Sequence, residues 1–273
     1  MLNVGPKGDG SVTEPVKVAL TTSGKWIKEH PEVIYGAKAS PWEHALSWGD
    51  VTVTPDGIMN LCVFQWPENG KLSLPGMLSD IKSAKVVYDG KVIDVGVKKE
   101  DGGWVTLELP CQRPNSLVSV IKLEPEKNWG VDSTQAVDPY FNTELSVVFA
   151  EAENCSKEEK RWMEKFGEWK HIWQVQDWTD NCKVTWAVDV KDEGYYHVDL
   201  NYAGENRVVW QVTTDEGDTL VNEQNACKVY NYYEMGLLKF KEGGKHEVSV
   251  SLLSDDKDYS LKEIRFVPWN PKE

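Results

Sequence analysis

Lys183-Val184-Thr185-Trp186-Ala187-Val188-Asp189-Val190, then Asp192-Glu193-Gly194, then Tyr195-Tyr196-His197-Val198-Asp199-Leu200-Asn201-Tyr202: apolar side chains fall at every second position, stop at a turn, and resume. A period of two puts alternate side chains on opposite faces, the mark of a strand buried on one side. Two such runs separated by the glycine-bearing turn Asp192-Glu193-Gly194 read as two strands. Downstream, the same reading gives strands at 207–213, 219–222, 236–240, 246–252 and 261–267, with Glu242-Gly243-Gly244 as a turn. Upstream, it gives strands at 51–54, 59–66, 71–74, 83–88, 92–97, 104–109 and 117–123. Pro55-Asp56-Gly57, Asn69-Gly70, Pro75-Gly76, Asp89-Gly90 and Asp101-Gly102-Gly103 separate these. Short, evenly spaced strands predict two antiparallel β-sandwiches.

Residues 125–143 have no clear period and carry Pro125, Gly130 and Pro139, so they read as a linker. Beyond it, 145–152 reads as a strand, and Ser156-Lys157-Glu158-Glu159 fits a capping box opening one or two helical turns. At the other end, Met1-Leu2-Asn3-Val4 is a short apolar strand fragment followed by the turn run Gly5–Gly10. Thr13 then stands as an N-cap with Pro15 in the first turn. Val16, Ala19, Leu20, Trp26 and Ile27 follow near helical spacing, and Pro31 ends the helix. The expected fold is mainly β, two antiparallel sandwiches preceded by one helix. Its units are 1–42, 43–124, a linker at 125–143, and 144–273.

The 273 residues carry 44 acids and 30 bases, a formal net charge of −14. That sign opposes binding to a phosphate backbone. No apolar run approaches the ~20 residues of a membrane span. The charge is uneven: residues 1–130 hold 16 acids and 14 bases, and the rest hold 28 and 16. Cys62, Cys111, Cys155, Cys182 and Cys227 lack the paired spacing of a zinc clip. They read mainly as single buried thiols, with room for one or two bridges. Asn154-Cys155-Ser156 fits a glycosylation sequon, and the first ten residues do not fit a signal peptide.

Catalytic signatures are sparse. His30, His44, His171, His197 and His246 are scattered singly, without an orienting partner in sequence. Gly8-Asp9-Gly10 reads as a plain turn. Glu151 and Glu153 share one face of a strand, either as a solvated edge or as ligands for a structural calcium. The chain has 13 Trp, 10 Tyr and 6 Phe, with Trp162, Trp169, Trp173, Trp178, Trp186 and Trp210 in one stretch. Flat rings stack on the C–H faces of sugars while polar neighbours meet the hydroxyls. Trp186 and Trp210 lie inside predicted strands and read as core. Trp173, Trp178, Tyr230, Tyr232 and Tyr233 lie at connections or strand edges and are the candidate carbohydrate-binding residues.

Several motifs resemble a known family. Met1-Leu2-Asn3-Val4-Gly5-Pro6 with Asp9-Gly10, Gly24-Lys25-Trp26-Ile27 and Ile34-Tyr35-Gly36 resemble the end of the catalytic barrel of α-L-fucosidases, glycoside hydrolase family 29. Ser40-Pro41-Trp42, the run from Phe64 to Leu72 and Leu74-Pro75-Gly76 resemble that family's C-terminal sandwich. The resemblance covers about residues 1–124 and implies a retaining exo-glycosidase whose Asp nucleophile and carboxylic acid lie on upstream barrel strands. No residue here matches either, so no catalytic residue is carried over. It implies a barrel as missing partner, fucosylated glycans as substrates, no cofactor, and a periplasmic or secreted bacterial parent.

Ala150-Glu151-Ala152-Glu153, Trp178-Thr179-Asp180, Val184-Thr185-Trp186, Gly194–Val198, Tyr202-Ala203 and Gly244-Lys245-His246 resemble carbohydrate-binding module families 6 and 35. Where those modules often place a calcium carboxylate, this chain has Lys262. A free-standing carbohydrate-binding protein is the competing reading, and a complete enzyme with a carboxylate-lined cleft between the sandwiches is a third.

Overall fold

The computed structural model describes residues 4–88, 90–165 and 168–269. Most of the predicted first strand (Met1–Asn3) and Asp89 of the Asp89-Gly90 turn lie outside the described residues. The chain is mainly β. Helix α1 (Glu14–Glu29) runs into a short α2 (Pro31–Ile34). Pro31 ends α1 as expected, and its fixed φ also opens α2. Thr13 holds the N-cap position with no side-chain capping bond.

Eight strands form the first sandwich: β1 (Gly49–Val53), β2 (Met59–Val63), β3 (Lys71–Leu74), β4 (Ile81–Tyr88), β5 (Lys91–Asp94), β6 (Gly96–Lys99), β7 (Val105–Glu108) and β8 (Ser119–Pro125). A five-stranded sheet ordered β1-β2-β8-β4-β5 packs against a three-stranded one ordered β3-β7-β6. The strand expected at 92–97 is two strands in different sheets. At Val95, which is buried and donates its N–H to Ala84 O (2.8 Å), the chain crosses over. Trp42 and Trp48 fill the core, and their indole N–H groups donate to Pro75 O (3.1 Å) and Ser73 O (2.8 Å).

Twelve strands follow: β9 (Gln135–Val137), β10 (Thr143–Ser146), β11 (Glu151–Glu153), β12 (Ser156–Lys165), β13 (Glu168–Gln176), β14 (Lys183–Val190), β15 (Gly194–Gly204), β16 (Arg207–Thr214), β17 (Thr219–Asn225), β18 (Asn231–Phe240), β19 (Gly244–Leu252) and β20 (Tyr259–Pro268). One sheet runs β12-β13-β20-β15-β18 with β10 added on β20. The other runs β11-β14-β19-β16-β17 with β9 added on β14. Trp186 and Trp210 are buried in the shared core, as their strand positions predict.

Three expectations are corrected. The strand at 145–152 is β10, a 3-10 turn (Val147–Phe149) and β11, placed in opposite sheets. Ser156-Lys157-Glu158-Glu159 opens strand β12, not a helix. Glu158 accepts from Gln174 Nε2 across the β12–β13 hairpin (3.1 Å) instead of reaching back to a helix start. Finally, Cys155 and Cys182 form a disulfide with Cα atoms 5.5 Å apart, while Cys62 is a buried thiol and Cys111 and Cys227 are exposed ones.

The segment 125–143 is tied down rather than loose. Asp132 N–H donates to Gly76 O (2.7 Å), and a Cβ at Gly76 would stand 2.2 Å from Asp132 O, so only glycine fits that approach. β9 then pairs in parallel with β14. Contacts cross between the sandwiches at the end of β14. Lys191 Nζ donates to Ser73 Oγ (2.9 Å) and Thr106 Oγ1 (2.8 Å) and pairs with Glu100 (3.0 Å). Trp104 Nε1 donates to Asp189 Oδ1 (3.1 Å).

Candidate carbohydrate-binding surfaces

The five aromatic candidates do not form one site. Trp178 is buried: its indole donates to Tyr259 O (3.0 Å) and stands edge-on to Trp210, centroids 5.0 Å apart. Both its edge and its faces are used inside the sandwich, so it is a core residue and not a sugar platform. Tyr233 stacks on Tyr202 (4.3 Å), and its hydroxyl accepts from Cys227 N and donates to Cys227 Sγ.

Tyr230 and Tyr232 join a polar network on the outer face of the larger sheet. Residues pointing outward from β15 and β20 meet there, because Asp199 is registered with Arg265 and Asn201 with Glu263. Glu263 Oε1 accepts from Tyr232 Oη (2.6 Å), Asn201 Nδ2 (2.8 Å) and Lys262 Nζ (3.1 Å). Arg265 donates twice to Asp199 Oδ2 (2.8 and 2.6 Å) and lies 3.7 Å over the Tyr232 ring. Burial, reinforced by Glu263 and Glu144, pushes the Tyr232 phenol up, so it stays a donor. Tyr230 donates to Gln174, which in turn donates to Glu158 and Gln176. The donors and acceptors are largely used on one another, which makes this a rigid polar face.

Trp173 points the other way. Its β13 neighbour Gln174 faces the polar network, so Trp173 stands on the opposite side of the β12–β13 hairpin, 38% exposed. Glu151 and Glu153 are exposed on β11, at the edge of the other sheet. Among the described residues no group of three or more His, Cys, Asp or Glu side chains is placed to hold a metal.

Between the sandwiches lies a cavity of about 340 Å³, lined in part by His44, Gln65, Trp104, Gln135 and Asp138. Burial pushes the Asp138 carboxyl up. Its oxygens accept from Tyr140 N (2.7 Å), Phe141 N (3.0 Å) and Ser47 Oγ (2.9 Å). That is the bonding of a loop-fixing carboxylate rather than of a proton donor aimed into a cleft. Sequence reasoning missed the Asp199–Arg265 pair and the Lys191 clasp, since neither has a spacing signature.

On the opposite flank, α1 holds no buried residue, and Val18 (58%) and Leu20 (38%) face outward. Its C-terminal end docks: Trp26 Nε1 donates to Val118 O (2.8 Å) beside Val33, Cys62 and Val120.

No protein-family model matches the chain. Human (Homo sapiens) tissue α-L-fucosidase is 35% identical over 122 residues, which is 43% of this chain and 25% of that enzyme. Bovine (Bos taurus) tissue α-L-fucosidase is 33% identical over 101 residues, 37% of this chain and 20% of that one. The crystal structure of the α-L-fucosidase from Vibrio sp. strain EJY3 aligns with 98% of this chain and 47% of that chain, with a TM-score of 0.64 at 18% identity, a likeness of fold. The chain thus spans less than half the length of each of these relatives. In sequence over its matched part and in fold over nearly its whole length, this chain is similar to the α-L-fucosidases of glycoside hydrolase family 29.

Proposed function

We propose that the chain is the C-terminal, non-catalytic portion of an exo-acting, retaining α-L-fucosidase that removes terminal α-L-fucosyl groups. In this reading 1–42 is the end of the catalytic barrel, 43–124 the family's C-terminal sandwich, 125–143 a connecting segment and 144–273 an appended galactose-binding-like sandwich. The first sandwich braces the barrel, and the second binds glycan. The parent acts on fucosylated glycans in a periplasmic or extracellular setting, a compartment in which the Cys155–Cys182 bridge persists.

One observation carries this reading above a free-standing binding protein. A helix with an apolar stripe needs something to cover it. α1 has helical apolar spacing yet buries none of its residues, and Ala19 and Leu20 of that stripe are exposed. A self-contained protein would lay that stripe on its own sheet. The double variant A19K/L20K tests the point by chemical denaturation. It should leave the stability of this chain within about 0.5 kcal/mol, the usual range for surface changes. A loss above about 2 kcal/mol would mean that the helix packs within the chain, contrary to the proposal.

A further inference from the structure

The β12–β13 hairpin carries a row of aromatic side chains on one face. Directly opposed residues of an antiparallel pair share a face, and the register pairs Met163 with Trp169, Arg161 with His171, and Glu159 with Trp173. Trp169, His171 and Trp173 therefore line one side of β13, with Trp169 71% and Trp173 38% exposed. Single exposed rings are ordinary on protein surfaces, but two tryptophans in line on one strand are not. Four residues of strand separate the two indoles by about 13 Å.

We infer that this face is an oligosaccharide-binding strip, an inference that rests on the glycan-binding role proposed above. Two flat rings with a hydrogen-bonding imidazole between them match a chain of sugars, which offers C–H faces and hydroxyls in succession. A wholly apolar protein partner would leave His171, Arg161 and Glu159 facing hydrocarbon. The span between the rings is too long for one pyranose, so the ligand is an oligosaccharide of at least about three units. It is neutral, because residues 131–273 carry 28 acids against 16 bases and would repel a polyanion. The strip is pre-formed at its base: Cys155–Cys182 closes the chain in front of β12, and Lys157 Nζ donates to Ala150 O (2.7 Å) and Val148 O (3.2 Å). A rigid strip loses little entropy on binding.

The test uses this whole chain with a panel of neutral fucosylated and unfucosylated oligosaccharides of three to six units, and with L-fucose alone. Binding is read by tryptophan fluorescence and isothermal titration. At least one oligosaccharide should bind at least tenfold more tightly than L-fucose. W169A and W173A should each weaken it about tenfold, while Y35A, a control at an exposed ring on the other unit, should not. Circular dichroism confirms that the variants fold. If an oligosaccharide binds and both tryptophan variants retain full affinity, the strip is refuted while glycan binding stands. If no member binds, glycan binding and the strip fail together. If the chain self-associates and W169A makes it monomeric, the face is an interface between copies and the inference is overturned.

Discussion

Replacing Lys191 with methionine (K191M) leaves a side chain of similar length without its charge. The ammonium is nearly buried, with 6% of its side chain exposed, and it reaches from the second sandwich to three groups of the first. Removing it strands the Ser73 and Thr106 hydroxyls, both buried, and the Glu100 carboxylate, about a quarter exposed. Breaking a fully buried pair costs about 3–5 kcal/mol. Glu100 recovers some water, and each hydroxyl loses a bond of about 1 kcal/mol, so the loss should be about 3 kcal/mol. At about 2–4 °C per kcal/mol for a chain of this class, that is a fall of about 6–12 °C in the calorimetric midpoint. The cost should also depend on acid. Burial raises the Glu100 pKa, but the hydrogen bond and charge of Lys191 over-compensate and hold it below the usual carboxylate range. The stabilisation is complete above the unfolded-state value and is lost as pH falls through the lower folded value. The K191M penalty should therefore be full at pH 7 and shrink as pH falls below the usual carboxylate range. A midpoint within 2 °C of the parent at pH 7, or strict additivity of K191M with E100Q, would refute the clasp.

Further consequences are open to simpler assays. The Cys155–Cys182 bridge closes a 27-residue separation, so C155S/C182S should lower unfolding free energy by about 3.5 kcal/mol on the chain-entropy relation, measured in urea. Hydrogen bonds from Lys245 and Thr134 hold Asp132 at about 2, so D132N should flatten the loss of stability that the parent shows as pH drops from about 4 toward 2. Thiol labelling of the native chain should modify Cys111 and Cys227 quickly and spare Cys62, whose burial pushes its pKa up to about 11. W178A should cost about 3–5 kcal/mol, as a core indole would and a surface ring would not.

The strands were legible wherever one face is apolar and the other polar: β14 begins and ends where the alternation from Lys183 to Val190 predicts. The hairpin was misread at its start because Ser-x-x-Glu is a local signal, and cross-strand pairing of Ser156 with Gln176 and Glu158 with Gln174 outweighs it. Yet Trp169, His171, Trp173 and Val175 already alternate in the sequence. Trp178 illustrates the other limit. It follows the end of β13, where sequence reads a connection, but tertiary packing folds it under Tyr259 and against Trp210. The Lys191 clasp and the Asp199–Arg265 pair join residues 66 or more positions apart, and no spacing rule connects them. The resemblance to α-L-fucosidases was carried by the motifs between Met1 and Gly76, several of which sit at tight turns and tryptophan anchors such as Gly76 and Trp42.

The most direct test of the central claim is hydrolysis of 4-nitrophenyl α-L-fucopyranoside by this chain. As the non-catalytic portion of a fucosidase, it should release nitrophenol no faster than buffer. Turnover that co-purifies with the chain through repeated chromatography would place a complete active site within these residues and contradict the account.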